Sequence, residues 1–77
     1  MPCRIGITSD VSTAKEYWES EISRLRGWDI LGGPMSRDQA ADIEASTAEN
    51  YGCSASGCRI EAGARDAQWY IYHFFYR

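Results

Sequence analysis

The stretch Gln68 to Tyr76 reads QWYIYHFFY and is almost wholly aromatic and β-branched. Such residues fit a pleated strand better than any other element. A strand that is apolar on both faces needs hydrogen-bonded neighbours on both sides and cover over at least one face. It therefore belongs in the middle of a sheet. A chain of 77 residues holds one domain at most, so the core has to be built around these rings. Three Trp, five Tyr and two Phe supply the area, each burying roughly 150–250 Å².

The remaining elements can be placed around that strand. Cys3–Thr8 reads as a first strand, with Ile5 and Ile7 on one side and Arg4, Gly6 and Thr8 on the other. Ser9-Asp10 begins a turn. A helix is expected from Ser12-Thr13, where Thr13-x-x-Glu16 forms a capping box. Ala14, Trp18, Ile22 and Leu25 then make one apolar stripe, widened by Tyr17, with Gly27 as the stop. Trp28–Leu31 reads as a second strand, broken by Gly32-Gly33-Pro34. Ser36-x-x-Gln39 is a second capping box. It opens a helix that runs to Tyr51, with Ala40, Ile43, Thr47, Ala48 and Tyr51 on one face and Gly52 just past its end. Residues 52–67 form a long loop.

The order is β-α-β-α-loop-β, an α+β fold in a single domain over 1–77. The C-terminal strand is expected between the other two and antiparallel to both, making a small three-stranded sheet with two helices on one face. Ile5, Ile7, Trp69, Ile71 and Phe75 then meet the helices. Arg4, Thr8, Tyr70, Tyr72 and Tyr76 line an open face. His73 falls on the helix side, as a hydrogen-bonded core histidine.

The net charge is −3 and the pI about 4.9. Binders of the phosphate backbone usually carry a basic surplus, so this balance disfavours a general nucleic-acid partner. Of the eight cations only Lys15 is a lysine, and arginines suit bidentate carboxylate or phosphate recognition. The N-terminal MPCRIGITSD has no apolar core of a secretory signal, and no apolar run is long enough to span a membrane. The expected location is intracellular, in the cytoplasm. Three cysteines are an odd number for a disulfide framework. Cys53 and Cys58 are the close pair and invite a loop disulfide in an oxidising compartment. A zinc site drawing on Cys3, Cys53, Cys58 and His73 is a weaker reading. Free thiols are the leading one.

Arg4-Ile5-Gly6-Ile7-Thr8-Ser9 resembles the second strand of GIY-YIG nuclease domains, an aromatic-Ile-Gly segment followed by small polar residues and a helix. The similarity runs through that helix, the Trp28–Leu31 strand, and Ala40-x-x-x-Glu44 ahead of Tyr51-Gly52-Cys53, roughly residues 3 to 53. It implies a three-stranded antiparallel sheet with flanking helices. The family's central GIY strand has no counterpart before Cys3, so the aromatic C-terminal strand substitutes for it in a circularly permuted arrangement. The family cleaves phosphodiesters with one divalent metal, Mg²⁺ or Mn²⁺. Carried over residue by residue, Arg4 stands where the YIG tyrosine is expected. Ala14, beside Lys15, replaces the phosphate-steadying arginine, and Trp18 replaces a histidine. Glu44 matches the metal-binding glutamate, and Tyr70 or Tyr72 supplies the GIY tyrosine. The resemblance therefore implies a degenerate relative.

The leading expectation is an interaction module without nuclease activity. It would capture a protein partner through Arg4, Thr8, Lys15, Trp18, Tyr70 and Tyr72, in the manner of an accessory protein of a virus or mobile element acting in an infected cell. An exposed aromatic face also invites a homodimer. The alternative is a metal-dependent endonuclease with Tyr72 or Tyr70 as catalytic residue, Glu44 as metal ligand and Arg4 or Lys15 as the cation. A single-stranded nucleic-acid binder, stacking bases on the aromatic strand, is the third.

Overall fold

The computed structural model describes residues 2–55 and 68–76. In chain order the elements are β1 (Cys3–Thr8), α1 (Val11–Glu21), β2 (Arg26–Met35), α2 (Arg37–Tyr51), β3 (Ser54–Ala55) and β4 (Trp69–Phe75). The class is α+β. The described strands form one sheet in the order β2-β4-β1-β3. β4 runs antiparallel to β1 and to β2, which is the interior position that its two apolar faces require.

Two features of the expected architecture need correction, and they share a cause. The sheet has a fourth strand: β3 pairs parallel to β1, with Arg4 opposite Ser54 and Ile5 opposite Ala55. The helices lie on opposite faces rather than one. α2 packs Ala40 and Ala48 against Ile5, Ile7, Trp69 and Ile71. α1 packs Ala14 and Trp18 against Tyr72 and Phe74. Connections between parallel strands are right-handed almost without exception. The path from β1 through α1 to β2 crosses the sheet in one direction, and the path from β2 through α2 to β3 crosses it in the other. Two crossovers of one hand that run in opposite directions put their helices on opposite faces. With β3 unrecognised, nothing in the chain demands the second face.

Ile5, Ile7, Trp69 and Ile71 face α2, as the alternation predicts, whereas Phe75 at the end of β4 is 37% exposed and does not join that core. The even residues face α1, so Thr8 and Tyr72 are buried beside Phe74 rather than lining an open face. That face is held by a close approach of backbone and ring. Gly6 is the cross-strand partner of Tyr72, and the Tyr72 phenol lies so near Gly6 that a Cβ there would overlap its ring and hydroxyl. Trp18 on α1 donates its indole N–H to Tyr72 Oη at 2.8 Å. Trp28 on β2 stacks on Tyr72, with centroids 4.8 Å apart and planes 15° off parallel. One phenol thus ties β1, β2, β4 and α1 together.

Local boundaries differ from the pattern reading in three places. α1 begins at Val11, capped by Asp10, whose carboxylate accepts from the Thr13 amide. A carboxylate nearer the turn displaces the Thr13 hydroxyl from the capping role. α1 also ends at Glu21, with Ile22 already extended, so Ile22 and Leu25 pack on the aromatic cluster from the connection. β2 runs through Gly33 and Pro34 to Met35, with register shifts along its pairing to β4. Irregular pairing at the sheet margin tolerates proline and glycine, and at Gly33, which has φ +121°, a Cβ would meet the Trp69 carbonyl oxygen at 2.7 Å. α2 begins and ends as expected, with Ser36 capping the Gln39 amide and Gly52 in the left-handed region.

Gly6→Ala is expected to destabilise the fold by about 1–3 kcal/mol through overpacking. That corresponds to a loss of roughly 4–8 °C in melting temperature per kcal/mol for a domain of this size. A thermal melt followed by near-ultraviolet circular dichroism reads it, and an unchanged melting temperature contradicts the placement of Tyr72. Hydrogen bonds from the Thr13 backbone amide, then from its hydroxyl, hold the Asp10 carboxyl below its ordinary value. Its capping contribution is thus complete above the unfolded aspartate pKa and fades as pH falls through the lower folded one. An NMR titration of the Thr13 amide should report that lower value.

Candidate functional site

The sequence-derived residues fall into two groups on opposite sides of the sheet. Arg4, Thr8, Trp18, Tyr70 and Tyr72 belong to the α1 side, and Lys15 is exposed on α1 itself. Trp18 contacts two of the others, through its hydrogen bond to Tyr72 and through the Arg4 guanidinium 5.0 Å from its ring centroid. The Tyr76 ring lies 5.5 Å from the same guanidinium. Arg4 Nε is buried without a hydrogen-bond partner, so the side chain is held mainly by the faces of the rings. Thr8 donates its hydroxyl to the Asp10 carbonyl and accepts the Asp10 amide, both at 3.0 Å. This is turn chemistry at the end of β1.

Glu44 sits on the other side. It is 6% exposed and lies between Ala40 and Ala48 on the stripe that α2 presents to the sheet. Tyr72, at 2% exposure, is buried under α1. The tyrosine and the glutamate that a GIY-YIG-type centre would bring together are therefore separated by the sheet. Tyr70 shares the face of Tyr72 and is parted from Glu44 in the same way. The rings that would serve as stacking platforms are also consumed, since Trp69, Tyr72 and Phe74 all lie in the core.

Two features on the α2 side went unrecognised in the sequence. The first is a groove of about 310 Å³ between α2 and β2. Ile71 contributes to its lining, with Leu31 and Met35 from β2 and Ile43, Thr47 and Tyr51 from α2. Ile43, Thr47 and Tyr51 were legible as one face of α2, but the helix is seated on β1 and β4, and the part of that face turned toward β2 stays open. Tyr51 remains 56% exposed. The second is a disulfide between Cys3 and Cys53, with Cα atoms 4.8 Å apart. It replaces the free thiols expected at Cys3 and Cys53 and the Cys53–Cys58 pair; Cys58, which a four-ligand zinc site would also need, lies outside the described residues. The reason is topological. Gly52 turns the chain back, Cys53 donates its amide to the Ala48 carbonyl, and β3 then runs beside β1, which brings Cys53 to Cys3. His73 is buried on this face, edge-on to Tyr51 at 5.6 Å and to Phe75 at 4.8 Å.

No protein-family model, no curated protein and no solved structure matches the chain. Among the described residues no helix is long and apolar enough to cross a membrane.

The disulfide joins residues 50 apart in sequence, and closing a loop of that length stabilises by about 4 kcal/mol in the chain-entropy treatment. Cys3→Ser, Cys53→Ser and chemical reduction should each lower the melting temperature by a similar amount. Cys58→Ser should retain the oxidised protein's stability. If reduction leaves the melting curve where it was, Cys3 and Cys53 are not bonded in solution.

Proposed function

We propose that the protein is a small non-catalytic binding module, a degenerate and permuted member of the GIY-YIG type of scaffold, whose binding surface is the α2–β2 groove. The observation that carries this reading is the separation of Tyr72 and Glu44 by the sheet. General base and metal ligand have to act on the same phosphate, and groups on opposite faces do not reach one atom. Ala14, fully buried at the position of the family's arginine, removes the cation as well. The antiparallel trio β2, β4 and β1 supports the scaffold comparison.

The groove favours a protein segment that inserts one aliphatic side chain. Its wall and floor are aliphatic at Leu31, Met35, Ile43 and Ile71, and Thr47 and Asn50 offer hydrogen bonds at the rim. The outer side of α2 carries Asp38, Asp42 and Glu49, all exposed. Basic residues flanking the aliphatic anchor complement that charge, chiefly through association rate and orientation.

Peptides selected from a random display library against the oxidised protein provide the test. They are expected to carry an aliphatic residue beside Lys or Arg, to shift the Leu31, Ile43, Thr47 and Tyr51 amides in NMR titrations, and to bind at least about tenfold more weakly to Thr47→Arg, equivalent to roughly 1.4 kcal/mol. Selected peptides that map onto α1 overturn the groove assignment. DNA or RNA cleavage with Mg²⁺ or Mn²⁺ that disappears in Glu44→Gln overturns the non-catalytic reading. Salt-dependent binding of single-stranded oligonucleotides in place of peptides favours a nucleic-acid partner.

A further inference from the structure

Cys3, Cys53 and His73 each bring one ligand atom into a group whose members all lie within 4.8 Å of one another. They come from three elements that the fold holds in register. Cys3 and His73 lie on the neighbouring strands β1 and β4, where His73 is the partner of Ile5. Cys53 follows the left-handed turn at Gly52. A tetrahedral zinc site has Zn–S bonds near 2.3 Å and Zn–N bonds near 2.0 Å, which puts its ligand atoms about 3.5–3.8 Å apart. The three atoms already occupy a volume of that scale, and all three side chains face the α2 side. The imidazole is fixed between the edges of Tyr51 and Phe75, while Cys53 is half-buried and open to a reagent.

We propose that these three residues form a redox-gated site for a thiophilic divalent cation, zinc in particular. The disulfide is its closed state and a Cys₂His set with a fourth position for water is its open state. An external dithiol opens it. Its thiolate attacks Cys53 Sγ, the Cys3 thiolate leaves, and the second external thiol displaces Cys53. The external pair becomes a disulfide, and two electrons pass to the protein's sulfurs. Zn²⁺ then binds both cysteine thiolates and the neutral imidazole of His73, releasing one proton from each thiol that was protonated. Metal and disulfide exclude each other because they use the same sulfur atoms. A disulfide persists in oxidising compartments and is usually transient where thiols are kept reduced, and the metal keeps the β1–β3 margin tied in the reduced protein.

Cobalt(II) and zinc titrations of the full chain test this, before and after reduction by a phosphine that is then removed. The oxidised protein should show no thiolate-to-cobalt charge-transfer band. The reduced protein should take up one Co²⁺ with that band and with tetrahedral d–d absorption, and Zn²⁺ should displace it. Cys3→Ser and Cys53→Ser should abolish the band, His73→Gln should weaken binding by tenfold or more, and Cys58→Ser should leave it intact. Should reduction alone unfold the chain, Zn²⁺ is expected to restore its circular dichroism. The proposal fails if the reduced protein binds no Co²⁺ whether folded or not, if zinc does not refold an unfolded reduced chain, or if the band survives Cys3→Ser. Loss of the band in Cys58→Ser fails it too, since the ligand set would then be a different one. Peptide binding in the groove is read separately, so neither proposal depends on the other.

Discussion

Tyr72 lies across Gly6, and that contact sets the geometry of the sheet. The strand carrying Tyr72 is apolar on both faces, so it is stable only as an interior strand with a layer on each side. The ring needs a neighbour without a Cβ, and the register with β1 supplies Gly6 opposite it. A slip of one residue would send every side chain of β4 to the wrong face and would set Tyr72 against Ile5 or Ile7. The indole of Trp18 then fixes the phenol from α1, and Trp28 covers it from β2. Four elements therefore agree on one register through one side chain.

The strength of the aromatic signal explains what was readable from the sequence. The antiparallel placement of residues 69–75 between the first two strands follows from burial alone. So does the assignment of Ile5, Ile7, Trp69 and Ile71 to a common face. Caps and stops at Ser36 and Gly52 were readable because each acts within a few residues. What went unread depends on non-local geometry. β3 is two exposed residues, Ser54 and Ala55, too short for a periodicity and recruited only because the end of α2 delivers them to the edge of β1. Without β3 the chain gives no reason for a second layer, and one face of the sheet then reads as open. Arg4, Tyr72 and Trp18 then looked like a binding surface. Polar and aromatic residues on one strand face are common to an exposed hot spot and to a covered aromatic cluster, and only the helix above tells them apart.

The two faces of the sheet are packed in different ways. Under α1, large rings interlock: Trp18 with Phe74 at 5.5 Å, Trp28 with Phe74 at 5.7 Å, and Arg4 against Trp18 and Tyr76. Rings in such contact leave few positions for a ligand, and each has little freedom to move. Under α2 the helix presents Ala40 and Ala48 to β1 and β4. Small residues there let the helix approach the sheet over those two strands, and the flank toward β2 stays uncovered.

That offset accounts for both the groove and the position of Cys53. A helix seated on β1 and β4 leaves a trough beside β2, which is the groove lined by Leu31, Met35, Ile43 and Tyr51. Its C-terminal turn then points at the β1 edge, so the chain leaves α2 with Cys53 already against Cys3. His73 occupies the sheet position between them and the groove wall, since its ring meets Tyr51, which also lines the groove. Tyr51 is therefore common to both features. The Cys3–Cys53 bond lies two residues beyond Tyr51, whereas the α1 side contains no group that reduction would alter among the described residues. The groove and the Cys3–Cys53–His73 group both lie on the α2 face, whereas rings fill the space under α1.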